Sequence, residues 1–198
     1  MNVTETPLSG LKIVEPTVFE DERGWFMEAH NAAKFAALGI EPGIVQINHS
    51  HSKQGVLRGL HFQAPPADQT KLVRCVAGRL FDVAVDIRRG SPTYGQWYGV
   101  ELSAQNRRML YVPSGFAHGF YAITDCDLLY LCGRNGYSKA AEGGLKYDCP
   151  QLDIVWPYAV EAWLPSNPIV IARDAAFPGL DEFESPFVYA AAMPPEAP

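Results

Sequence analysis

Short apolar runs separated by turn residues make up most of this chain. Runs of this kind predict strands, and their regular spacing is typical of a sandwich, barrel or jelly roll. The alternation is clearest over residues 80–87, where the odd positions are apolar and the even positions include Asp82 and Asp86. A period of two places the two sets on opposite faces of a strand. The pattern therefore predicts an all-β protein.

The predicted elements follow one another closely. One short helix is predicted over residues 31–38, with Asn31 as the N-cap and Gly39 at the left-handed stop. The residues Ala77-Gly78-Arg79 predict a hairpin between the strands on either side. Strands are predicted over residues 11–19, 71–76, 80–87, 94–102, 108–112, 116–123 and 128–132.

Beyond Trp156-Pro157 the strand pattern weakens. A chain of 198 residues suits one domain, and no internal repeat or linker interrupts it. We predict a single domain over residues 1–198, with its core at about 11–157. An irregular extension is expected over 158–189 and a disordered tail over 190–198.

Composition narrows the class of protein. A content of 47% hydrophobic and 19% charged residues is typical of a globular protein. The net charge of −6 argues against a nucleic-acid partner, because phosphate binding normally shows as a basic face. The start of the chain lacks a signal-peptide pattern, and no apolar run approaches the roughly 18 residues of a membrane helix. We predict a cytoplasmic protein with no membrane partner, whose four cysteines are reduced thiols rather than disulfides.

One apolar stretch, residues 55–63, carries an arginine and a histidine. Burying Arg58 and His61 costs several kcal/mol unless partners meet them, so the stretch points to a site. In a regular strand, His61 shares its face with Leu57 and Gly59 while Arg58 points the other way. Either Gly59 forms a bulge that turns both inward, or Arg58 acts elsewhere.

A second phrase, residues 112–120, also delivers a histidine, His118. Two strand-like segments that each carry a histidine suggest a site inside a β-barrel. The alternative is that each is a satisfied structural histidine, which is the commoner case for a lone one. His49 and His51 fall in a predicted polar turn, where we expect solvent exposure.

The two histidine phrases resemble the motifs of the cupin family of small jelly rolls. Gly59-x-His61-x-Gln63 resembles the first motif, and Pro113-x-Gly115-x-x-His118 resembles the second. Metal-binding cupins usually present two histidines and a glutamate in the first motif. Here Gln63 replaces the second histidine, no glutamate follows, and the cation Lys71 lies nearby. We therefore expect no metal and no other cofactor, in a pocket that has been reused.

Longer phrases resemble the dTDP-4-dehydrorhamnose 3,5-epimerase family. The likeness covers about residues 11–157, with a looser echo over residues 172–176. So many phrases in one order are far more specific than a single short motif. They are Phe19-x-Asp21-Glu22-Arg23-Gly24-x-Phe26-x-Glu28, Gln46-x-Asn48-x-Ser50, residues 55–63, residues 71–75, residues 81–88, Gly90-Ser91-Pro92-Thr93 and residues 113–120.

This resemblance implies chemistry on a nucleotide-linked 4-keto-6-deoxyhexose. The ketone acidifies the protons on C3 and C5. Inversion then needs a base on one face, a stabilised enolate oxygen and a proton donor on the other face. The resemblance makes His61 the base, Asp174 its orienting partner, Lys71 the enolate stabiliser and Tyr130 the acid. Without the family resemblance, Tyr130 would be interpreted as a core tyrosine and Lys71 as a surface lysine.

The resemblance also implies contacts to the nucleotide-sugar, in which guanidinium groups suit a diphosphate. Trp25 and Phe26 would form a wall for the nucleobase, and the alternative for their neighbours Arg23 and Glu28 is a surface ion pair. The implied ligand contacts are Arg23, Glu28, Gln46, Asn48, Arg58, His118, Glu142 and Arg173.

The chain departs from the family pattern beside the expected acid and beside Asp174. Residues 131–136 replace a polar run and add one residue before Tyr137, so Tyr137 is an alternative acid. Near Asp174, residues 165–171 are rearranged. Single differences are Ile47 for an aspartate, Ile171 for a serine and Arg173 for a lysine.

The expected function is therefore cofactor-free epimerisation of a nucleotide-linked 4-keto sugar at C3, at C5 or at both. The resemblance further implies a cupin-type jelly roll that forms a homodimer, in which the N-terminal strands help to complete the neighbour's site. A keto isomerase on a related sugar is the alternative enzyme. A sugar-nucleotide-binding cupin without turnover is the alternative from another class.

Overall fold

The structure, a computed structural model, describes residues 1–41 and 43–190. The predicted tail therefore lies almost wholly outside the described residues. Within these ranges, helices are confined to α1 (Ala32–Ala37), α2 (Ala172–Ala175) and two short 3₁₀ turns at Lys139–Ala141 and Pro157–Ala159. The strands are β1 (Asn2–Glu5), β2 (Lys12–Glu15), β3 (Val18–Asp21), β4 (Gly24–Met27), β5 (Ile44–Ser52), β6 (Leu57–Gln63), β7 (Thr70–Ala77), β8 (Arg79–Asp86), β9 (Trp97–Ser103), β10 (Met109–Val112), β11 (Phe116–Ala122), β12 (Cys126–Gly133) and β13 (Glu142–Gly144).

Two antiparallel sheets form the body of the molecule. The six-stranded sheet has the order β1-β2-β10-β7-β12-β5, and the five-stranded sheet has the order β13-β6-β11-β8-β9. The separate hairpin β3–β4 stands outside both. This is the all-β jelly roll that the sequence predicted.

The two sheets enclose an apolar core between their inner faces. Val73 on β7, Leu128 on β12 and Phe120 on β11 belong to this core. The outer face of the five-stranded sheet is buried by the irregular C-terminal extension, through residues such as Leu164 and Phe187. Helix α1 and the first strands cover part of the other outer face. Each sheet is thus buried on both sides over much of its area.

The predicted hairpin at residues 77–79 is wrong. Strand β7 belongs to the six-stranded sheet and β8 to the five-stranded sheet, so the two do not pair. Gly78 sits at the corner where the chain crosses between sheets, with φ of +70°. A Cβ there would lie 1.9 Å from the carbonyl oxygen of Asp125, so the crossing needs a glycine.

The predicted helix is confirmed. Asn31 caps α1 by accepting a hydrogen bond from the Lys34 amide, and Gly39 follows with φ of +66°. His49 and His51, by contrast, lie in strand β5 rather than in a turn, although both side chains are exposed as expected.

All four cysteines are free thiols. None of the helices within the described ranges is long and apolar enough to cross a membrane.

Candidate active site

A bulge in β6 turns Arg58 and His61 to the same side. His61 pairs with His118 on β11 and Arg58 pairs with Phe120, so three steps on β6 match two on β11. Gly59 makes this possible because a Cβ there would lie 2.6 Å from the Cα of Gly119. The bulge alternative from the sequence is therefore correct. The expectation that Leu57 shares the face of His61 is wrong, since Leu57 packs in the outer apolar layer.

Both side chains open into a cavity of about 230 Å³ between the two sheets. Strands β6 and β11 supply one wall, and strands β5, β7 and β12 supply the other. The predicted site residues on this cavity are Asn48, Arg58, His61, Lys71, His118, Tyr130 and Glu142, with the alternative acid Tyr137 beside them.

The C-terminal extension brings Asp174 to His61. Ile169 bridges to Val56 at the start of β6, which places α2 against that strand. The Asp174 carboxylate then lies 2.9 Å from Nε2 of His61 and accepts a hydrogen bond from the Gly59 amide at 3.1 Å. Burial opposes ionisation of Asp174, but His61, Gly59 and Arg173 together hold its pKa below the ordinary value. A carboxylate anion is thus fixed behind the imidazole.

Arg173 links this pair to the cavity mouth. Its guanidinium donates to Asp174 at 3.1 Å and to Glu142 at 2.9 Å, and approaches His61 Nε2 at 3.3 Å. The other oxygen of Glu142 accepts from the Tyr137 hydroxyl at 3.0 Å. A continuous polar chain therefore runs from His61 to the half-exposed Tyr137.

Tyr130 and Lys71 face the cavity from the opposite sheet. Burial raises the pKa of Tyr130 to about 12, so the phenol holds its proton at neutral pH. Burial also lowers the pKa of Lys71, while nearby Cys132, Asp82 and Glu142 act to raise it. Both side chains are in the cavity, as the resemblance implied, and not on the outer surface of the protein.

His118 forms a second imidazole–carboxylate pair with Asp82. The distance from Nε2 to the carboxylate is 2.7 Å, and both side chains are almost completely buried between β8 and β11. The second oxygen of Asp82 has no hydrogen-bond partner among the described residues. The sequence marked Asp82 only as a member of an alternating strand, and its pairing with a histidine 36 residues away carried no local signal.

Gln63 occupies the place of a metal-binding histidine but uses its amide elsewhere. It donates to the carbonyls of Ala67 and Gly136 and accepts from the Ser138 amide at 2.6 Å. Gln46 in turn accepts from the Tyr137 amide at 2.9 Å. Gln46 therefore acts on the loop that carries Tyr137, which its predicted role as a ligand contact did not anticipate.

Besides Gln46, the predicted ligand residues Arg23 and Glu28 lie outside the cavity lining. Arg23 is 83% exposed at the tip of the β3–β4 hairpin, where it pairs with Asp21. Glu28 pairs with Lys34 of α1 at 2.8 Å. Each therefore makes a surface ion pair, the alternative that the sequence left open. The face of Trp25 is covered by the guanidinium of Arg107 at 4.6 Å.

This jelly roll of the cupin type has an imidazole–carboxylate pair on one wall of its cavity and a tyrosine and a lysine on the other, an arrangement that fits an enzyme transferring protons to and from its substrate. A model of the family described as dTDP-4-dehydrorhamnose 3,5-epimerase matches residues 5–182. The chain therefore belongs to this family, whose members are isomerases.

Named relatives agree with this assignment. The dTDP-4-dehydrorhamnose 3,5-epimerase of Shigella flexneri is 48% identical over 175 residues, which are 88% of this chain and 93% of that protein. The crystal structure of dTDP-6-deoxy-D-glucose-3,5-epimerase from Legionella pneumophila, in complex with dTDP-4-keto-L-rhamnose, is 43% identical with a TM-score of 0.88, covering 96% and 99% of the chains. A 3'-monoepimerase from Streptomyces bikiniensis, in complex with dTDP-quinovose, is 34% identical with a TM-score of 0.80, covering 89% and 86%.

Proposed function

We propose that this protein inverts C3 and C5, or one of them, of a dTDP-linked 4-keto-6-deoxyhexose. The observation that carries the proposal is the placement of a carboxylate-backed imidazole and a protonated tyrosine on opposite walls of one cavity. Inversion requires a proton to leave one face of the sugar and another to arrive on the opposite face. A binding protein without turnover needs neither group.

His61 takes the proton next to the ketone. Its Nε2 is held by Asp174, and its Nδ1 makes no hydrogen bond to any described residue, so Nδ1 is the atom free to accept. Asp174 stabilises the imidazolium that forms, as the aspartate of a hydrolase triad does. Lys71 places positive charge beside the enolate oxygen, and Tyr130 then delivers a proton to the other face.

Arg58 on the cavity wall, with Arg173 beside Glu142, would hold the diphosphate. Arg58 is oriented by Ser52 at 3.0 Å and by the carbonyl of His51 at 3.1 Å, which points its planar donor group in a fixed direction. A guanidinium in a fixed orientation suits two phosphate oxygens at once. The proposed ligand set around Arg58 is completed by Arg173, Asn48, His118 and Glu142. The dTDP found with two of the similar structures supports the choice of nucleotide.

We further propose a homodimer in which the β3–β4 hairpin serves the neighbour's site. Arg23 and Glu28 lie outside the cavity of their own subunit. Strand β5 ends its sheet and exposes Val45 and Ile47, which would favour coverage by a second copy. The four free thiols support a cytoplasmic location.

Solvent deuterium exchange tests the reaction. The protein is incubated with dTDP-4-keto-6-deoxyglucose in deuterium oxide, and NMR follows label and configuration at C3 and C5. Label together with inversion at both carbons is expected for the double epimerase. Inversion at C3 alone identifies a monoepimerase, and binding without any label would overturn the proposal in favour of a binding protein.

Mixed dimers test the shared site. The two inactive variants His61→Asn and Arg23→Glu are unfolded together, refolded and assayed. If Arg23 acts across the interface, subunits that carry Arg23→Glu regain activity from a partner that carries His61→Asn. Mixed dimers with no regained activity would show that Arg23 acts within its own subunit, and a monomeric mass in ultracentrifugation would contradict the dimer.

A further inference from the structure

The inward face of β5 carries two serines with different tasks. Ser50 and Ser52 are two residues apart and therefore share a face of the strand. The Ser50 hydroxyl lies 3.0 Å from the Tyr130 hydroxyl, and the Ser52 hydroxyl accepts from Arg58 Nε at 3.0 Å. Ser50 thus contacts the proposed acid, and Ser52 contacts the arginine that is proposed to bind the diphosphate.

We propose that Ser50 is a positioning residue that directs the proton of Tyr130 into the cavity. A phenol oxygen carries a single hydrogen, so Tyr130 cannot donate to Ser50 and to a sugar carbon at the same time. When Ser50 donates to the phenol oxygen, the Tyr130 hydrogen is left to point at the substrate. This role extends the proposed function and rests on it.

The same hydrogen bond stabilises the product of proton transfer. When the O–H bond of Tyr130 breaks and the proton joins the enolate carbon, a phenolate remains until solvent returns a proton. Burial disfavours that phenolate, which is why the pKa of Tyr130 is raised to about 12, and the Ser50 hydroxyl and the charge of Arg58 act in the opposite direction. Ser50 therefore favours the charged form at the step where the charge appears.

Removing the hydroxyl separates this role from a structural one. In Ser50→Ala, abstraction by His61 continues, so deuterium exchange persists, while the ratio of inversion to exchange falls by about tenfold to a hundredfold. Ser50→Thr keeps a hydroxyl and should restore the ratio. The matched control Ser52→Ala, two residues along the same face, should raise KM through Arg58 and change the ratio much less than Ser50→Ala does.

Each outcome decides between distinct explanations. Wild-type protein that neither exchanges nor inverts overturns the proposed function itself. A wild-type protein that does both, with an unchanged ratio in Ser50→Ala, overturns the role of Ser50 alone. Equal loss of exchange and inversion in Ser50→Ala, or no rescue by threonine, shows a structural role and also overturns it.

Discussion

Two histidine–aspartate pairs lie side by side on neighbouring strands of one sheet and differ in their surroundings. His61 and His118 are directly paired on β6 and β11, and each binds a carboxylate within 3 Å. The His61 side chain is 24% exposed to the cavity, whereas that of His118 is 4% exposed. Asp174 receives hydrogen bonds from a backbone amide and a guanidinium, while one oxygen of Asp82 has no partner among the described residues.

The comparison teaches that an imidazole–carboxylate pair does not by itself define a base. A base must reach the substrate and must have its charged form stabilised after it accepts the proton. In the proposed mechanism His61 meets both conditions, because its side chain is exposed to the cavity and Asp174 lies behind it. His118 lines the same cavity but is only 4% exposed, and the role proposed for it is a ligand contact rather than a base.

The largest expected effect comes from disrupting the pair of His61 and Asp174, which is exposed to the cavity. His61→Asn should reduce turnover by about 10²–10⁴-fold with little change in ligand affinity, because general-base catalysis contributes on that scale. Asp174→Asn should lower turnover in the same direction. Steady-state rates and calorimetric binding of dTDP measure the two effects. Near-normal rates in both variants would contradict the pairing of His61 with Asp174.

The second-largest effect is expected at Tyr130, which faces His61 across the cavity from the other sheet. Tyr130→Phe should still exchange deuterium next to the ketone, because His61 can return the proton it removed. Inverted product should fall by about 10²-fold or more. Tyr137→Phe is the matched comparison at the cavity mouth. If Tyr130→Phe inverts the sugar at the native rate and Tyr137→Phe does not, the acid is Tyr137.

Alkaline pH is expected to act on Lys71, which faces the cavity from the sheet opposite the two pairs. Since burial lowers the pKa of Lys71, its positive charge is lost as pH rises through a value below the ordinary 10.5. The inversion rate should therefore decline on that alkaline side. Lys71→Arg keeps its charge to higher pH, so this decline should shift upward even where the rate at neutral pH is about tenfold lower. An unchanged alkaline decline in Lys71→Arg would assign it to another group.

A smaller effect on turnover is expected from disrupting the buried pair of His118 and Asp82. Asp82→Asn leaves a buried polar contact poorly satisfied, so the free energy of unfolding should fall by about 1–3 kcal/mol. Urea unfolding measures this loss. Turnover of the folded variant should change less than in Asp174→Asn. A loss of turnover as large as that of Asp174→Asn, with stability retained, would make the two pairs equivalent in catalysis.

No effect at all is expected from metal removal. The two histidines that a metal cupin would use are each engaged by a carboxylate, and Gln63 is occupied by backbone groups. Dialysis against a strong chelator should leave the inversion rate unchanged. Activity that disappears on dialysis and returns with a divalent ion would contradict this prediction.

The sequence could predict most of the strands and most cavity residues, because apolar alternation and family-like phrases are local signals. It missed β5, whose run of polar residues was interpreted as a turn. It could not predict the parity of Arg58, since the bulge depends on the close approach of Gly119 from another strand. The turn at Gly78 was equally ambiguous, because a turn signal does not say which sheet the chain enters next. Asp82 acquires its role only when β8 and β11 pair.

The anchoring of Asp174 to β6 also has a consequence for how activity arises during synthesis. Asp174 binds the amide of a residue 115 positions earlier in the chain. A ribosome must therefore extend the chain through residue 174 before the proposed base acquires its carboxylate. A nascent or clipped chain that ends before α2 would keep the strands of both sheets and lack the orienting anion. Full epimerase activity is accordingly expected only of chains that include α2, so turnover per folded barrel would reveal a truncation that circular dichroism does not detect.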